Sequence, residues 1–285
     1  MIKFFIKSIK RALAIIGGLF IFIPESLFEN FEIISQELLD KSKIFSFLDV
    51  QDVNIIISRF LFFLLIFIIT SIIYVCILRF RQCITIKGVN YIIRIEYGNI
   101  FKKKKCKKVI SFDECFTTTV GDSTGDINPT SICGQYLLAH PDLDIEQLIK
   151  EANIIPARGK SKYQQKIRYN PGTIVPNKND LLMAFARLDE RGKGRFFSRD
   201  EYLECLNLLW KELENNYSEN DVCVPILGAG TTCFEGGSGA SFTQQDLLNM
   251  MIWSYKLSSH KIKAPHKLRI VCSRNSDFSI NNIDM

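Results

Sequence analysis

The chain has 285 residues, enough for one large or two modest domains, and its 47% hydrophobic content with a mean hydropathy of +0.09 excludes a disordered chain. Nine cysteines contain no Cys-x-x-Cys pair, which excludes a zinc ribbon and a disulfide scaffold and suits a reducing cytosol. The net charge of +6 is modest, and the lysines cluster beside apolar segments instead of interleaving with aromatic residues, so no nucleic-acid surface is expected.

In chain order, the first apolar segment is Ala12–Ile23, twelve residues or about 18 Å of helix, too short to cross a bilayer alone. Lys3, Lys7, Lys10 and Arg11 fall on one side of a helix that continues into it, with Phe4, Phe5, Ile6, Ile9 and Leu13 on the other. A span over about residues 4–23 follows, with the cations reaching to the headgroups. A signal peptide shares this pattern, but Phe22-Ile23-Pro24-Glu25 offers no small-residue cleavage site. The second segment, Phe60–Leu78, is nineteen residues without a charge, long enough to cross a hydrocarbon core of roughly 30 Å. Basic residues precede the first segment and, as Arg79, Arg81 and Lys87, follow the second, while the connection is acidic at Glu25, Glu29, Glu32, Glu37, Asp40, Asp49 and Asp52. The expected result is a transmembrane hairpin over residues 1–82 with both ends cytoplasmic.

Residues 83–285 alternate short apolar runs with amphipathic stretches, which predicts one α/β domain. Strands are expected at Tyr91–Tyr97, Lys108–Phe112, Leu181–Leu188, Val222–Leu227 and Leu268–Cys272, and helices at Asp144–Glu151, Ser198–Asn215 and Ser241–Leu257. Ser198 with Glu201, and Ser241 with Gln244, have capping-box spacing. Between the fourth strand and the last helix, Gly228–Gly239 holds five of the sixteen glycines in twelve residues. A glycine-rich turn at a strand's carboxyl end brings backbone N–H groups close to a phosphate, and the next helix adds positive potential; a plain flexible connection is the alternative. Neither a Walker loop nor a dinucleotide fingerprint is satisfied.

Asp189–Gly194 imitates a calcium loop, but Arg191 and Lys193 occupy ligand positions, so a turn is expected. His140, His260 and His266 have no sequence-adjacent cysteine or carboxylate, and no metal site is expected. Lys102–Lys108 carries six lysines in seven residues and reads as a solvated loop able to touch anionic headgroups.

The order and spacing of Glu96–Phe101, Val109–Thr117, Asn170–Val175, Leu181–Phe185, Leu209-Trp210 and Val224–Gly230, behind two apolar spans, resemble the macro domains of membrane-anchored effectors in bacterial Thoeris anti-phage systems. The resemblance implies a three-layer α/β/α domain with a mixed sheet that binds an ADP-ribose-type nucleotide, with no metal and no further cofactor. It assigns Asn99 and Ile100 to the adenine end, where Asn99 replaces an acidic residue. Phe112, Asp113, Glu114, Phe116 and Thr117 line the distal ribose. The segment Thr119–Gln135, with Gly134 and Gln135, closes over the ligand, and Leu227, Gly228, Ala229, Gly230, Thr231, Thr232, Cys233 and Phe234 hold the diphosphate. Ser111-Phe-Asp-Glu114 replaces the Asn-Ala-Ala-Asn pattern of hydrolytic macro domains, which implies sensing over catalysis. The implied role is a non-enzymatic effector that reads a signal, in one subtype joined to histidine, made by a partner TIR-domain enzyme. It then self-associates in the lipid bilayer of the inner membrane, and the infected cell dies. A membrane-tethered hydrolase of ADP-ribosyl groups, with Asp113 or Glu114 activating water, and a scaffold with an empty pocket are the alternatives.

Overall fold

The structure is a computed structural model that describes residues 10, 13–15, 17–18, 23–28, 31–35, 49–123, 125–196, 198–230, 233–234, 242–274 and 278–283. The chain divides into two compact units, residues 1–81 and 82–285.

In the first unit, helix α1 runs over Val50–Phe80 for 31 residues, about 46 Å, and is long and apolar enough to cross a membrane. Ile56, Phe60, Leu64, Leu65, Ile68, Ile69 and Ile72 are exposed on several sides of it. Near its start the buried Asn54 accepts hydrogen bonds from the N–H groups of Ile33 (3.0 Å) and Ile34 (2.7 Å) and donates to the Ile34 carbonyl (3.0 Å), fastening the preceding segment to the helix. Of the expected first span, residues 13–15 and 17–18 are helical and most of the rest lies outside the described residues. Among the described residues, α1 alone meets the length and apolarity of a membrane span.

The second unit is built on a nine-stranded mixed sheet: β1 Cys83–Lys87, β2 Ile92–Tyr97, β3 Cys106–Asp113, β4 Ile174–Asn177, β5 Asp180–Leu188, β6 Gly194–Phe196, β7 Asp221–Pro225, β8 Cys233–Phe234 and β9 Leu268–Cys272. The path is β1-β2-β9-β7-β3-β5-β6-β8, with β4 also paired to β5. Strands β2, β9, β7, β3 and β5 are mutually parallel, whereas β1 is antiparallel to β2, β4 and β6 are antiparallel to β5, and β8 is parallel to β6. The parallel strands read as near-continuous apolar runs because both their faces are covered.

Helices α2 (Ile132–Ala139) and α3 (Ile145–Glu151) cover one face, packing on Ile110, Phe112, Leu182 and Ala184. Helices α4 (Arg199–Asn216) and α5 (Gln244–Leu257) cover the other, where Leu206, Leu209, Trp210, Leu248 and Tyr255 meet Ile93, Val109, Val222 and Ile270. The Trp210 indole donates to Ser254 Oγ across the two helices at 3.0 Å. Ser198 caps α4 by accepting from the Glu201 N–H, as its spacing predicts. The box that opens α5 is Thr243 with Asp246, not Ser241 with Gln244, because the helix starts three residues later than expected. Ser241 itself lies outside the described residues.

Candidate functional site

The carboxyl ends of the five parallel strands meet the loops that follow them at a cavity of about 850 Å³, within the range of small-molecule sites. Its floor is Ser111, Phe112 and Asp113 at the end of β3, Phe185, Ala186 and Leu188 at the end of β5, and Val271 and Ser273 at the end of β9. One wall is Gly98–Phe101 after β2. Another is Pro225, Ile226 and Gly228–Gly230 after β7, together with Gln244, the first residue of α5. The far side is formed by residues 122–123, 125–128, 130–133 and 135 and by the Gly192–Gly194 turn. This is where open α/β sheets bind ligands, since loops on neighbouring strands diverge there.

The glycine turn is rigid at its base. Tyr202 of α4 donates to the Leu227 carbonyl at 3.0 Å, and Phe234 packs among Phe196, Tyr202 and Phe242. Gly228 has φ +83°, and a Cβ there would stand 2.9 Å from the Phe234 ring, so any side chain is both strained and obstructed. Gly230 differs: among the described residues, nothing lies within 4 Å of where its Cβ would be.

At the β2 side, the Asn99 side chain accepts from the Phe101 N–H at 2.8 Å, capping a short 3-10 turn over Ile100–Lys102 and fixing the cavity edge. Opposite, Ser131 caps α2 by accepting from the Gly134 N–H (2.9 Å), and Asn128 accepts from the Thr130 N–H and hydroxyl. The segment expected to close over the ligand therefore ends in the first turn of a helix. A Cβ on Gly134 would meet the Asn128 carbonyl at 2.2 Å, so this glycine serves close packing between helix and loop.

Asp113 lines the cavity. Its Oδ1 accepts from the N–H groups of Cys115 (2.8 Å) and Thr117 (3.2 Å). Burial raises its carboxyl above the ordinary 3.8, and these hydrogen bonds only partly offset the shift. Glu114 turns the other way. It is 1% exposed, and its Oε1 accepts from Ser161 Oγ (2.6 Å) and the Leu188 N–H (3.1 Å), while Oε2 lies 3.6 Å from Arg168. It ties the 161–169 loop to β5.

Of the residues assigned by resemblance, Asn99, Ile100, Phe112, Asp113, Gln135, Gly228, Ala229 and Gly230 border the cavity. Glu114, Phe116, Thr117, Gly134, Leu227 and Phe234 stand behind it: Phe116 packs between Phe112 and Tyr169, and Leu227 lies in the main core. Thr231, Thr232 and the Cys233 side chain lie outside what is described. Sequence reasoning expected the turn at Asp189–Gly194 but did not assign it, Ser273 or Gln244 to the cavity. The calcium-like Asp189–Gly194 stretch is the β5–β6 turn, with Asp189 accepting from the Arg191 and Lys193 N–H groups and paired with Arg195 at 2.6 Å. His260, which has no acidic neighbour in sequence, sits with Nδ1 2.7 Å from Glu214. No cluster of His, Cys, Asp or Glu suited to a metal occurs among the described residues.

The model for the macro domain of Thoeris protein ThsA matches residues 93–273, a stretch that runs from β2 to just past β9 and contains every cavity-lining residue named above. The chain belongs to the ThsA macro-domain family. It is 28% identical over 219 residues to Thoeris protein ThsA of Bacillus amyloliquefaciens (strain Y2), covering 72% of this chain and 70% of that protein. Among solved structures it is similar to the Oceanobacillus iheyensis macrodomain with ADP, at 10% identity and a TM-score of 0.43, covering 68% of this chain and 90% of that one. It is also similar to the macrodomain of Thermus aquaticus DarG, at 13% identity and a TM-score of 0.33, covering 64% and 98%.

Proposed function

We propose that this ThsA-family chain is a membrane-anchored effector of Thoeris defence that binds an ADP-ribose-type nucleotide made by a TIR-domain enzyme. Binding favours self-association, and the clustered membrane segments disrupt the inner membrane. Helix α1 is one span and residues 4–23 the other, with residues 83–285 in the cytoplasm.

The observation that carries the reading is the pairing of the cavity with the Gly228–Gly230 turn at its wall. Lys193 is the one cation among the described lining residues, beside the carboxylates Asp113, Asp122 and Asp126. A diphosphate here is therefore held by backbone N–H groups and the α5 amino terminus, which need no cationic side chain. Signal binding at 100 times its dissociation constant shifts an assembly equilibrium by about 2.7 kcal/mol per protomer.

Sensing is preferred to hydrolysis because both candidate bases are engaged, Glu114 in an internal network and Asp113 with two backbone N–H groups. The test incubates the detergent-solubilised full chain with a histidine–ADP-ribose conjugate and follows it by mass spectrometry. Saturable binding with the conjugate intact is expected; release of free ADP-ribose establishes the hydrolase instead.

Asp113 adds a pH dependence. Its folded-state pKa is raised, so the stability tied to its neutral form is present at low pH and is lost as pH rises through that raised value. The ionised carboxylate also repels a bound diphosphate. Affinity for ADP-ribose, measured by calorimetry from roughly pH 4 to pH 8, is expected to fall with rising pH in the native chain. In Asp113→Asn it is expected to be flatter over that range and several-fold tighter at neutral pH.

A further inference from the structure

Beside the cavity, the sheet face that carries α2 holds a second cluster of reactive side chains. Cys106 opens β3 and Cys223 lies on β7, and their Sγ atoms are 2.9 Å apart. The register pairs Cys106 with Asp221 and Lys108 with Cys223, so the two thiols are diagonal neighbours on one face. From the other side, β9 places Arg269 directly across from Cys223, and Glu96 holds that guanidinium at 2.6 Å. The hydrogen bond from the Cys223 thiol, and then the charges of Arg269 and Lys108, bring the Cys106 thiol down to about 7. A substantial thiolate fraction at neutral pH is the reactive form. Cys106 keeps 8% exposure, enough for a small oxidant but not for a protein. Ile100, Phe101 and Ile132 roof the pair together with Val271, and all four also line the cavity.

We propose that Cys106 and Cys223 are a peroxide-reactive dithiol whose closure to a disulfide reshapes the cavity wall over residues 98–105. The Cys106 thiolate attacks hydrogen peroxide, the O–O bond breaks, and protonation of the departing hydroxide gives water and a sulfenic acid. The Cys223 thiol then attacks that sulfur, its proton passing to the departing hydroxyl, which leaves as a second water. Overall two thiols are oxidised by two electrons and one peroxide is reduced to two waters. Diagonal neighbours in a sheet normally stand about 7–8 Å apart at Cα, beyond the roughly 4.4–6.8 Å of disulfides, so closure draws one backbone inward. The start of β3 is the part that yields, because it is the end of its strand and follows Lys105, whose φ is +54°. The displaced segment carries Asn99, Ile100 and Phe101 on the cavity side.

The test exposes the full chain in detergent to stoichiometric hydrogen peroxide, alkylates remaining thiols and maps peptides by mass spectrometry. A Cys106–Cys223 cross-linked peptide is expected, absent from Cys106→Ser and Cys223→Ser and reversed by dithiothreitol. Recovery of both cysteines alkylated, as expected of the buried Cys205, overturns the proposal. Hydrogen exchange without ligand gives a second readout: oxidation is expected to change exchange in peptides covering residues 98–105 in the native chain and not in Cys106→Ser. Unchanged exchange despite the cross-link overturns the coupling to the cavity. Neither readout needs a nucleotide, so both stand apart from the function proposed above.

Discussion

Glu114→Ala is expected to destabilise the macro domain by about 3–5 kcal/mol, the range for breaking a buried charged network by removing one partner. The substitution strands the Leu188 N–H and the Ser161 hydroxyl and leaves Arg168 beside an empty space. Glu114→Gln retains an acceptor for both donors and loses only the ionic component, so about 1–2 kcal/mol is expected. Denaturant unfolding followed by tryptophan fluorescence reads this unit alone, because Trp210 and Trp253 lie on α4 and α5 and the chain has no other tryptophan. A change under about 1 kcal/mol in Glu114→Ala means the network is not structural, and Glu114 returns as a ligand or catalytic group.

The second large effect separates charge from folding at the glycine turn. Gly230→Ala places a methyl group where no described residue lies within 4 Å and is expected to leave both stability and nucleotide affinity within a few-fold of the native chain. Gly230→Asp is no larger a steric problem, but sets a carboxylate against the diphosphate. At about 5 Å and an effective dielectric near 20, that repulsion is about 3 kcal/mol, or more than a hundredfold in affinity for ADP-ribose by calorimetry. Equal affinity in the two variants means the turn does not hold the diphosphate. Gly228 is the poorer position to probe, since its φ of +83° and the Phe234 ring at 2.9 Å mix strain with binding.

The buried parallel strands are legible because their composition is dictated by burial on both faces: β3, β5, β7 and β9 appear as Val/Ile/Leu-rich runs wherever their registers are read. The elements not anticipated, the five-residue edge strand β1 among them, are short or sit in turn-like sequence. Strands β4, β6 and β8 have four, three and two residues, too few for an alternation to show. Helix α2 hides because it has eight residues, includes Gly134 and emerges from a Gly/Asp/Ser/Thr loop that reads as turn throughout. Its one local signal is Ser131 placed as an N-cap.

The candidate site divides the same way. The Gly228–Gly230 turn announces itself through local composition, and its place on the cavity wall follows from the strand before it and the helix after it. Gly192–Gly194 and Ser273 reach the cavity only through β-sheet order, which joins β3 to β5 on one side and β7 to β9 on the other. The local assignment of Glu114 beside Asp113 ignores that the partners of Glu114 lie 47 and 74 residues away, at Ser161 and Leu188. No window of sequence around position 114 contains them.

The proposal as a whole turns on a nucleotide in the cavity acting on a bilayer. The most direct measurement reconstitutes the full chain into dye-loaded vesicles of bacterial inner-membrane lipid and adds histidine–ADP-ribose conjugate from the side facing residues 83–285. Dye release that requires the conjugate, saturates with it and disappears in Gly230→Asp but not in Gly230→Ala is the predicted result. Release that is independent of the conjugate, or equal in the two Gly230 variants, contradicts the account.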